Sequence, residues 1–92
     1  MTAAHEGNSC GGEDFSDTKG HYNPGDCLHP YHAGDLPPLF SNGGTAWMAV
    51  QTNRFTVEEI KGHTVVIHER TDDFMTQPSG NAGRKIACGV IV

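Results

Sequence analysis

The sequence predicts an all-β fold whose strands are separated by two long loops. Among its 92 residues are 12 Gly and 5 Pro, a composition that favours turns and strands over long helices. The clearest strand patterns are residues 63–69, which are dense in β-branched residues, and residues 85–92. Residues 21–35 and 70–83 instead mix Gly, Pro and polar residues, and we predict loops there. A chain of this length makes one domain, residues 1–92, with a modest core.

The first half of the chain carries few apolar residues. Residues 1–20 are mostly polar and Gly-rich, which predicts a loop with Phe15 as its apolar anchor. His5 and Glu6 are expected to be the tail of a strand that lies mostly outside this chain. Residues 36–40 are predicted to be extended, because each proline restricts the residue before it to extended geometry. The sequence SNGG at 41–44 predicts a tight turn.

The second half alternates strand patterns with one helix signal. Residues 45–51 are predicted to be a strand with Trp47 and Ala49 on one face, and residues 54–57 continue extended. The sequence TVEE at 56–59 is typical of a capping box and predicts one helical turn before Gly62. Four or five strands are too few to close a barrel. The sheet is therefore expected to have open edges, which favour a second copy or complementing strands as partners.

Charge and hydropathy exclude several classes of partner. The formal net charge is −5 and no basic patch is present, so nucleic acids and anionic membranes are poor candidates. No apolar run approaches the roughly 20 residues that a transmembrane helix needs. The first residues have neither a basic nor an apolar region of the signal-peptide kind, so no signal peptide is expected in this chain.

The loop at residues 21–35 contains a cluster of metal-binding side chains. Zinc prefers about four nitrogen, oxygen or sulfur ligands in a tetrahedron, and the loop offers His21, His29, His32 and Asp35. The alternative is a polar surface loop that happens to be rich in His. With His5 and His68 the chain has more candidate imidazoles than one tetrahedral zinc needs, and two adjacent metals that share a ligand would use them all.

The three cysteines leave two interpretations open. A bridge between Cys10 and Cys88 would close most of the chain into a ring, worth about 4–5 kcal/mol in the chain-entropy model. The other interpretation is three unrelated thiols in a reducing compartment. No role follows from the sequence for Cys27, which lies inside the His-rich loop.

Over nearly its whole length the chain resembles the copper/zinc superoxide dismutases. The likeness rests on motifs in the family's order: HE at 5–6, as at the end of the family's His-x-His-Glu strand, the run 10–24 with DF at 14–15 and GHYNP at 20–24, and HAGDL at 32–36. It continues with VIHE at 66–69, DD at 72–73, GNAG at 80–83 and ACG at 87–89. The short zinc loop and PPLF at 37–40 are similar to bacterial members. The implied fold is a partial Greek-key β-barrel or sandwich whose first strands, roughly three of eight, are missing.

This resemblance implies a role for each ligand candidate. His21 would be the imidazolate that bridges copper and zinc, and His29, His32 and Asp35 would complete the zinc site. His5 and His68 would bind copper, although a strand histidine satisfied within the protein is the alternative for His68.

Three further residues take structural roles by the same resemblance. Asp72 would link a copper ligand to a zinc ligand and so fix their orientation, its alternative being a solvated loop acid. Cys10 and Cys88 would form the family's disulfide, which ties a loop to the barrel.

The implied activity is disproportionation of superoxide into dioxygen and hydrogen peroxide. Copper would accept an electron from one superoxide anion and return it to the next, while His21 carries a proton to the second anion. A cation near copper would attract the substrate, which matters for a reaction close to the diffusion limit. The family and its disulfide favour the cell envelope or the extracellular space.

Three departures from the family pattern limit what is implied. The chain begins after the position of the family's first strands. Ala3 stands where the first histidine of His-x-His-Glu binds copper, so copper keeps at most three imidazoles. The family's guiding arginine falls at Lys85, which keeps the charge but loses the fork geometry, while alternation would point the neighbouring Arg84 to the other face.

The departures leave alternatives to the enzyme. One is a non-catalytic member of the family that holds zinc structurally and copper weakly or not at all, and another is an inert fragment of a longer protein. A mononuclear zinc hydrolase is disfavoured, because no glutamate stands at helical spacing from a pair of histidines.

Overall fold

The computed structural model of the chain describes residues 1–28, 32–37, 39–70 and 83–92. These residues form six strands: β1 Thr2–His5, β2 Asp35–Leu36, β3 Ser41–Asn42, β4 Thr45–Ala46, β5 Thr64–His68 and β6 Lys85–Val90. Four of them make one antiparallel sheet in the order β2-β1-β5-β6, and β3 pairs with β4 in a separate hairpin. The all-β prediction is confirmed, and the described strands do not close into a barrel.

The two central strands carry their histidines on one face of the sheet. In β1, Ala3 is opposite Val66 and His5 is opposite Thr64. Paired residues point the same way and side chains alternate along each strand, so Ala3, His5, Val66 and His68 share a face, which we call the histidine face. The four side chains are buried or nearly so, between 0% and 7% exposed.

An irregularity in the pairing of β5 with β6 controls which residues reach the histidine face. Ile67 is opposite Ala87, but His68 is opposite Lys85, so Ile86 is an extra residue without an opposite partner. An extra residue in one strand reverses the alternation beyond it. If side chains alternated strictly from Cys88 onwards, Lys85 would point away from the histidine face. The extra residue instead places Lys85 on that face, beside His68.

The turn predicted at residues 41–44 is confirmed, but the strand predicted at 45–51 is wrong beyond Ala46. Gly43 and Gly44 connect β3 to β4 with φ values of 62° and 84°, as a two-residue hairpin turn of this kind requires. Because β3 is only two residues long, it offers no partner for residues 47–51, and Trp47 is 82% exposed. Strand propensity is realised only on a pleated surface that is paired and partly buried.

The predicted capping box is confirmed at the start of the only α-helix in the described residues, α1 Val57–Ile60. The Thr56 hydroxyl accepts a hydrogen bond from the Glu59 amide, and the Glu59 carboxylate accepts one from the Thr56 amide. Gly62 has a φ of 86°, the left-handed conformation that commonly ends a helix. Ile60, the last residue of α1, is buried.

The N-terminal segment differs from the predicted loop. Thr2–His5 is a four-residue strand that pairs with β2 on one side and with β5 on the other. Glu13–Thr18 forms 3₁₀ turns interrupted by positive φ values at Asp14 and Phe15. Phe15 is only half-buried, and Thr18 is the fully buried residue of this segment.

A disulfide joins the N-terminal loop to the sheet. Cys10 and Cys88 are bonded across 78 residues of sequence, while Cys27 is a free, exposed thiol. Cys88 pairs with Val66 in β5, so the bridge anchors the loop over the histidine face. No helix in the described part of the chain has the length and hydropathy needed to cross a membrane.

Candidate metal centre

Three imidazoles meet on the histidine face. The ring nitrogens of three histidines lie within 4.8 Å of one another: His5 in β1, His68 in β5 and His21. The backbone of His21 pairs with that of His5 in an isolated antiparallel β-bridge. The ring of His5 lies 4.8 Å from that of His21 and 5.4 Å from that of His68, between ring centroids. We call these three residues the sheet group.

Main-chain carbonyls fix how two of these imidazoles face the centre. The Nδ1 atom of His5 lies 2.8 Å from the Lys19 carbonyl oxygen, and that of His68 lies 3.0 Å from the Gly83 carbonyl oxygen. A carbonyl oxygen can only accept, so each Nδ1 carries the hydrogen and each neutral ring presents an unprotonated Nε2.

The two Nε2 atoms of His5 and His68 are 3.3 Å apart. Two lone pairs at this separation repel, and a cation between them would turn the repulsion into attraction. The donor set therefore fits a metal ion that prefers imidazole, such as copper or zinc.

Burial keeps the same two imidazoles neutral. It lowers the pKa of His5 from 6.5 to about 3 and also lowers the pKa of His68. The carbonyl hydrogen bonds oppose this shift, whereas the neighbouring His21 and Lys85 add to it for both rings. A neutral imidazole is the form that binds a metal, so the site is ready for an ion at neutral pH.

A second group of donors lies on the other side of His21. The side chains of His21, His32 and Asp35 are between 4% and 9% exposed, and their donor atoms also lie within 4.8 Å of one another. We call them the loop group. The Nδ1 of His21 is 2.6 Å from Oδ1 of Asp35, and the Nδ1 of His32 is 3.2 Å from Oδ2 of the same carboxylate. The Nδ1 atoms of His21 and His32 are 3.3 Å apart, so three donors converge as zinc ligands do.

The backbone around Gly34 places the loop group against the sheet. The Ala4 amide donates to the Gly34 carbonyl, and the Gly34 amide donates to the Tyr22 carbonyl, both at 2.8 Å. A Cβ atom at position 34 would lie 2.8 Å from Tyr22 Cβ and closer still to the Ala4 carbonyl oxygen. Only glycine fits this close approach, which brings Asp35 into β2 beside Ala3.

Lys85 lies beside the sheet group. Its ammonium donates to Thr18 Oγ1 at 2.7 Å and to the Lys19 carbonyl at 2.8 Å, and partial burial lowers its pKa. The same Lys19 carbonyl accepts the Nδ1–H of His5. A positive charge is thus held one carbonyl group away from an imidazole of the centre.

The structure brings most of the predicted site residues together. Within the described residues, His21 belongs to both groups. The sheet group contains the three residues expected for copper, and the loop group contains three of the four expected for zinc. His29 and Asp72 lie outside the described residues. His63, which directly precedes β5, is in neither group, and its Nδ1 donates to the Glu6 carbonyl at 2.8 Å.

Several supporting groups were missed by the sequence interpretation. The carbonyls of Lys19 and Gly83 act through the backbone, so no residue type marks them. The Arg54 guanidinium donates to the His32 carbonyl at 3.1 Å, and Thr18 accepts from Lys85. The sequence indicates the close packing at Gly34 only weakly, as a glycine between the predicted ligands His32 and Asp35.

Comparisons with known proteins agree with this geometry. A family model described as copper/zinc superoxide dismutase matches residues 2–91. A superoxide dismutase [Cu-Zn] 1 of Aquifex aeolicus is 35% identical across 95% of this chain. The match covers 60% of that relative, so the chain spans about three fifths of the length of such proteins.

Solved structures show the same likeness. The Cu/Zn superoxide dismutase from Brucella abortus superposes with a TM-score of 0.84 at 32% identity, covering 99% of this chain and 70% of the other. A superoxide dismutase-like protein from Bacillus subtilis superposes with a TM-score of 0.75 at 30% identity, covering 99% and 70%. The sheet and both ligand groups lie within the matched part of this chain.

Proposed function

The chain belongs to the copper/zinc superoxide dismutase family, and on that premise we propose that it converts superoxide into dioxygen and hydrogen peroxide at a paired metal centre. Two superoxide anions and two protons give one molecule of each product. The observation that carries the proposal is that two groups of metal-binding side chains share the single residue His21. A shared imidazole couples two ions that would otherwise act separately.

The two groups suit different metals. The loop group supplies a carboxylate and imidazoles, a zinc-like set to which His29 would add a fourth ligand. The sheet group supplies imidazoles alone, which suits copper. The chemistry that copper provides when bound is to take an electron from one superoxide and give it to another.

The protein's own residues prepare this chemistry. Asp35 holds the Nδ1 side of His21, so the opposite side of the ring faces His5 and His68. His21 is then the residue that would hold a proton for the second superoxide. Asp72 would steady ligands of both metals from outside the two groups.

Lys85 is the cation proposed to attract superoxide. The protein has a net charge of −5, so its overall field repels an anion and local attraction must come from a nearby positive group. Lys85 is held at the sheet group by two hydrogen bonds. Lys85→Met should slow superoxide consumption about tenfold and Lys85→Arg should preserve it.

The decisive experiment measures superoxide consumption by the protein loaded with copper and zinc. We expect a rate well above that of the same concentration of free copper. His68→Ala should remove the excess rate, whereas His63→Ala is the matched control, because His63 belongs to neither ligand group. A loaded protein no faster than free copper would refute the proposed activity.

A second candidate is a non-catalytic zinc-binding protein of the same family. It is favoured by Ala3, whose fully buried methyl group lies on the histidine face beside His5, where the described residues offer no metal ligand beyond the three imidazoles. Metal analysis after dialysis separates the two: one zinc with negligible copper supports this candidate, and equal, firmly held copper supports the enzyme.

Assembly and location belong to the same proposal. The edges of the sheet, β2 and β6, suit pairing with a second copy or with strands from elsewhere, and residues 1–92 would then act as a single metal-binding domain. The Cys10–Cys88 disulfide suits an oxidising compartment such as the cell envelope or the extracellular space.

A further inference from the structure

The sheet group offers three imidazoles, and the structure shows what occupies the neighbouring strand position. Ala3 lies two residues before His5 on the histidine face, is 0% exposed and packs against the buried Met1. Its neighbours across the strands are Val66 and Asp35. Val66 has no donor atom, and Asp35 already holds the loop group.

The number of donors matters for the oxidation state of copper. Cupric copper gains most from four donors in a square or tetragonal arrangement. Cuprous copper has a filled d shell and no such geometric preference, and two or three donors satisfy it, so it tolerates the release of His21 when that ring holds a proton. Removing one imidazole from a four-imidazole set therefore weakens the cupric ion more than the cuprous ion.

The charges around the sheet group act in the same direction. Its three ligands are imidazoles. The Asp35 carboxylate contacts the Nδ1 of His21, on the side of that ring away from His5 and His68, where the zinc ion of the loop group would offset its charge. The ligands are 8% exposed or less, and the Lys85 ammonium is bound to the carbonyl that also holds His5. A buried site next to a positive charge disfavours the doubly charged ion more than the singly charged one.

We propose that His5, His21 and His68 form a three-imidazole site that binds cuprous copper in preference to cupric copper, with Ala3 as the residue that sets this preference. The inference rests on the proposed function only in that these three residues bind copper. It concerns the choice between oxidation states and holds whether or not the protein turns over superoxide rapidly.

The test compares the affinities for cuprous and cupric ions in protein whose zinc has been supplied first. Each affinity is measured by competition with a chelator selective for that oxidation state. Ala3→His should lower the ratio of cuprous to cupric affinity at least about tenfold, equivalent to about 59 mV in the one-electron potential. Ala3→Val is the matched control, because it fills the same space without a donor and should leave the ratio unchanged.

The native chain provides a second test in case histidine at position 3 prevents folding. The electron paramagnetic resonance spectrum of the cupric protein should show three coupled nitrogens, and added free imidazole should supply a fourth and lower the affinity ratio. Four coupled nitrogens without added imidazole would overturn this inference and leave the proposed function standing. Equal ratios of cuprous to cupric affinity in the native protein and the Ala3→His variant would do the same. Failure to bind copper in either oxidation state would overturn the proposed copper site as well.

Discussion

The two ligand groups that share His21 are positioned by different parts of the chain. The sheet group depends on backbone contacts between distant segments, because β1, β5 and the carbonyls of Lys19 and Gly83 must all be in place. The loop group depends on one carboxylate, since Asp35 contacts both His21 and His32 within 15 residues of sequence. One group is therefore built by the fold and the other by a local sequence.

This difference affects how each group behaves without metal. In the loop group, the carboxylate already satisfies the two imidazoles and the amide of His32. In the sheet group, two unprotonated nitrogens face each other at 3.3 Å. We infer that the loop group keeps its arrangement in the metal-free protein, whereas the sheet group is held in an unfavourable arrangement by the rest of the fold. The following changes test that contrast.

The largest effect should come from removing the disulfide. Replacing Cys10 and Cys88 together by serine removes from the unfolded chain a cross-link between residues 78 positions apart, and it should lower the free energy of unfolding by about 4–5 kcal/mol in the chain-entropy model. Cys10 also leads into the segment that supplies Thr18 and Lys19. Copper affinity should therefore fall more than zinc affinity, as titration of each metal would show.

Cys27→Ser is the control for this double substitution, because Cys27 is exposed and unbonded to sulfur. It should leave the denaturation midpoint and both metal affinities unchanged. A double variant that unfolds at the same denaturant concentration as the Cys27→Ser protein would contradict the expectation.

Acid should destabilise the metal-free protein next most strongly. The pKa of His5 is about 3 in the folded protein and 6.5 as a reference, so between these values the unfolded chain binds more protons. The free energy of unfolding therefore has its full value above pH 6.5. It decreases as the pH falls below 6.5, by up to about 1.36 kcal/mol per pH unit for this residue. His68, whose pKa is also lowered, acts in the same direction.

The groups facing His5 that carry or gain charge are His21, His68 and Lys85. Denaturation curves at successive pH values would measure the slope, and His5→Gln should flatten it. A slope that is the same in the native protein and the variant would show that His5 does not carry the effect.

Gly34→Ala should damage the loop group selectively. The added methyl group meets Tyr22 and the Ala4 carbonyl, and overpacking of this kind costs about 1–3 kcal/mol. Zinc affinity should fall because residue 34 separates His32 from Asp35, while the strand pairing that holds His5 and His68 remains. Gly20→Ala is the matched control, because a Cβ there has no neighbour within 4 Å. Equal zinc affinity in the two variants would argue against the placement of Gly34 described above.

Sequence alone predicted the parts of this structure that depend on neighbouring residues. The capping box at Thr56, the hairpin glycines and the grouping of His32 with Asp35 are all local. The β5 strand was also predictable, because its β-branched residues suit a paired, buried position whatever the partner.

The parts that depend on distant pairing could not be predicted in this way. The extra residue at Ile86 reverses the direction of Lys85, and nothing in the residue types of β6 marks it. Trp47 resembles a strand residue but has no paired strand to lie on among the described residues. The carbonyls that orient His5 and His68 belong to backbone positions that any residue type could supply.

The smallest effect should come from the cap of α1, because no residue of α1 belongs to either ligand group. Thr56→Ala removes the hydroxyl that accepts from the Glu59 amide and should cost about 0.5–1 kcal/mol, whereas Thr56→Ser keeps that hydroxyl and serves as the control. Among the described side chains, α1 is linked towards the metal centre by one hydrogen bond, which the Tyr22 hydroxyl donates to the Glu59 carboxylate at 2.5 Å. Tyr22 directly follows His21 in the sequence. If the two groups are positioned as argued, both metal affinities stay unchanged in both variants. A selective loss of zinc in Thr56→Ala would instead mean that the helix supports the shared imidazole, and the local description of the loop group would have to include it.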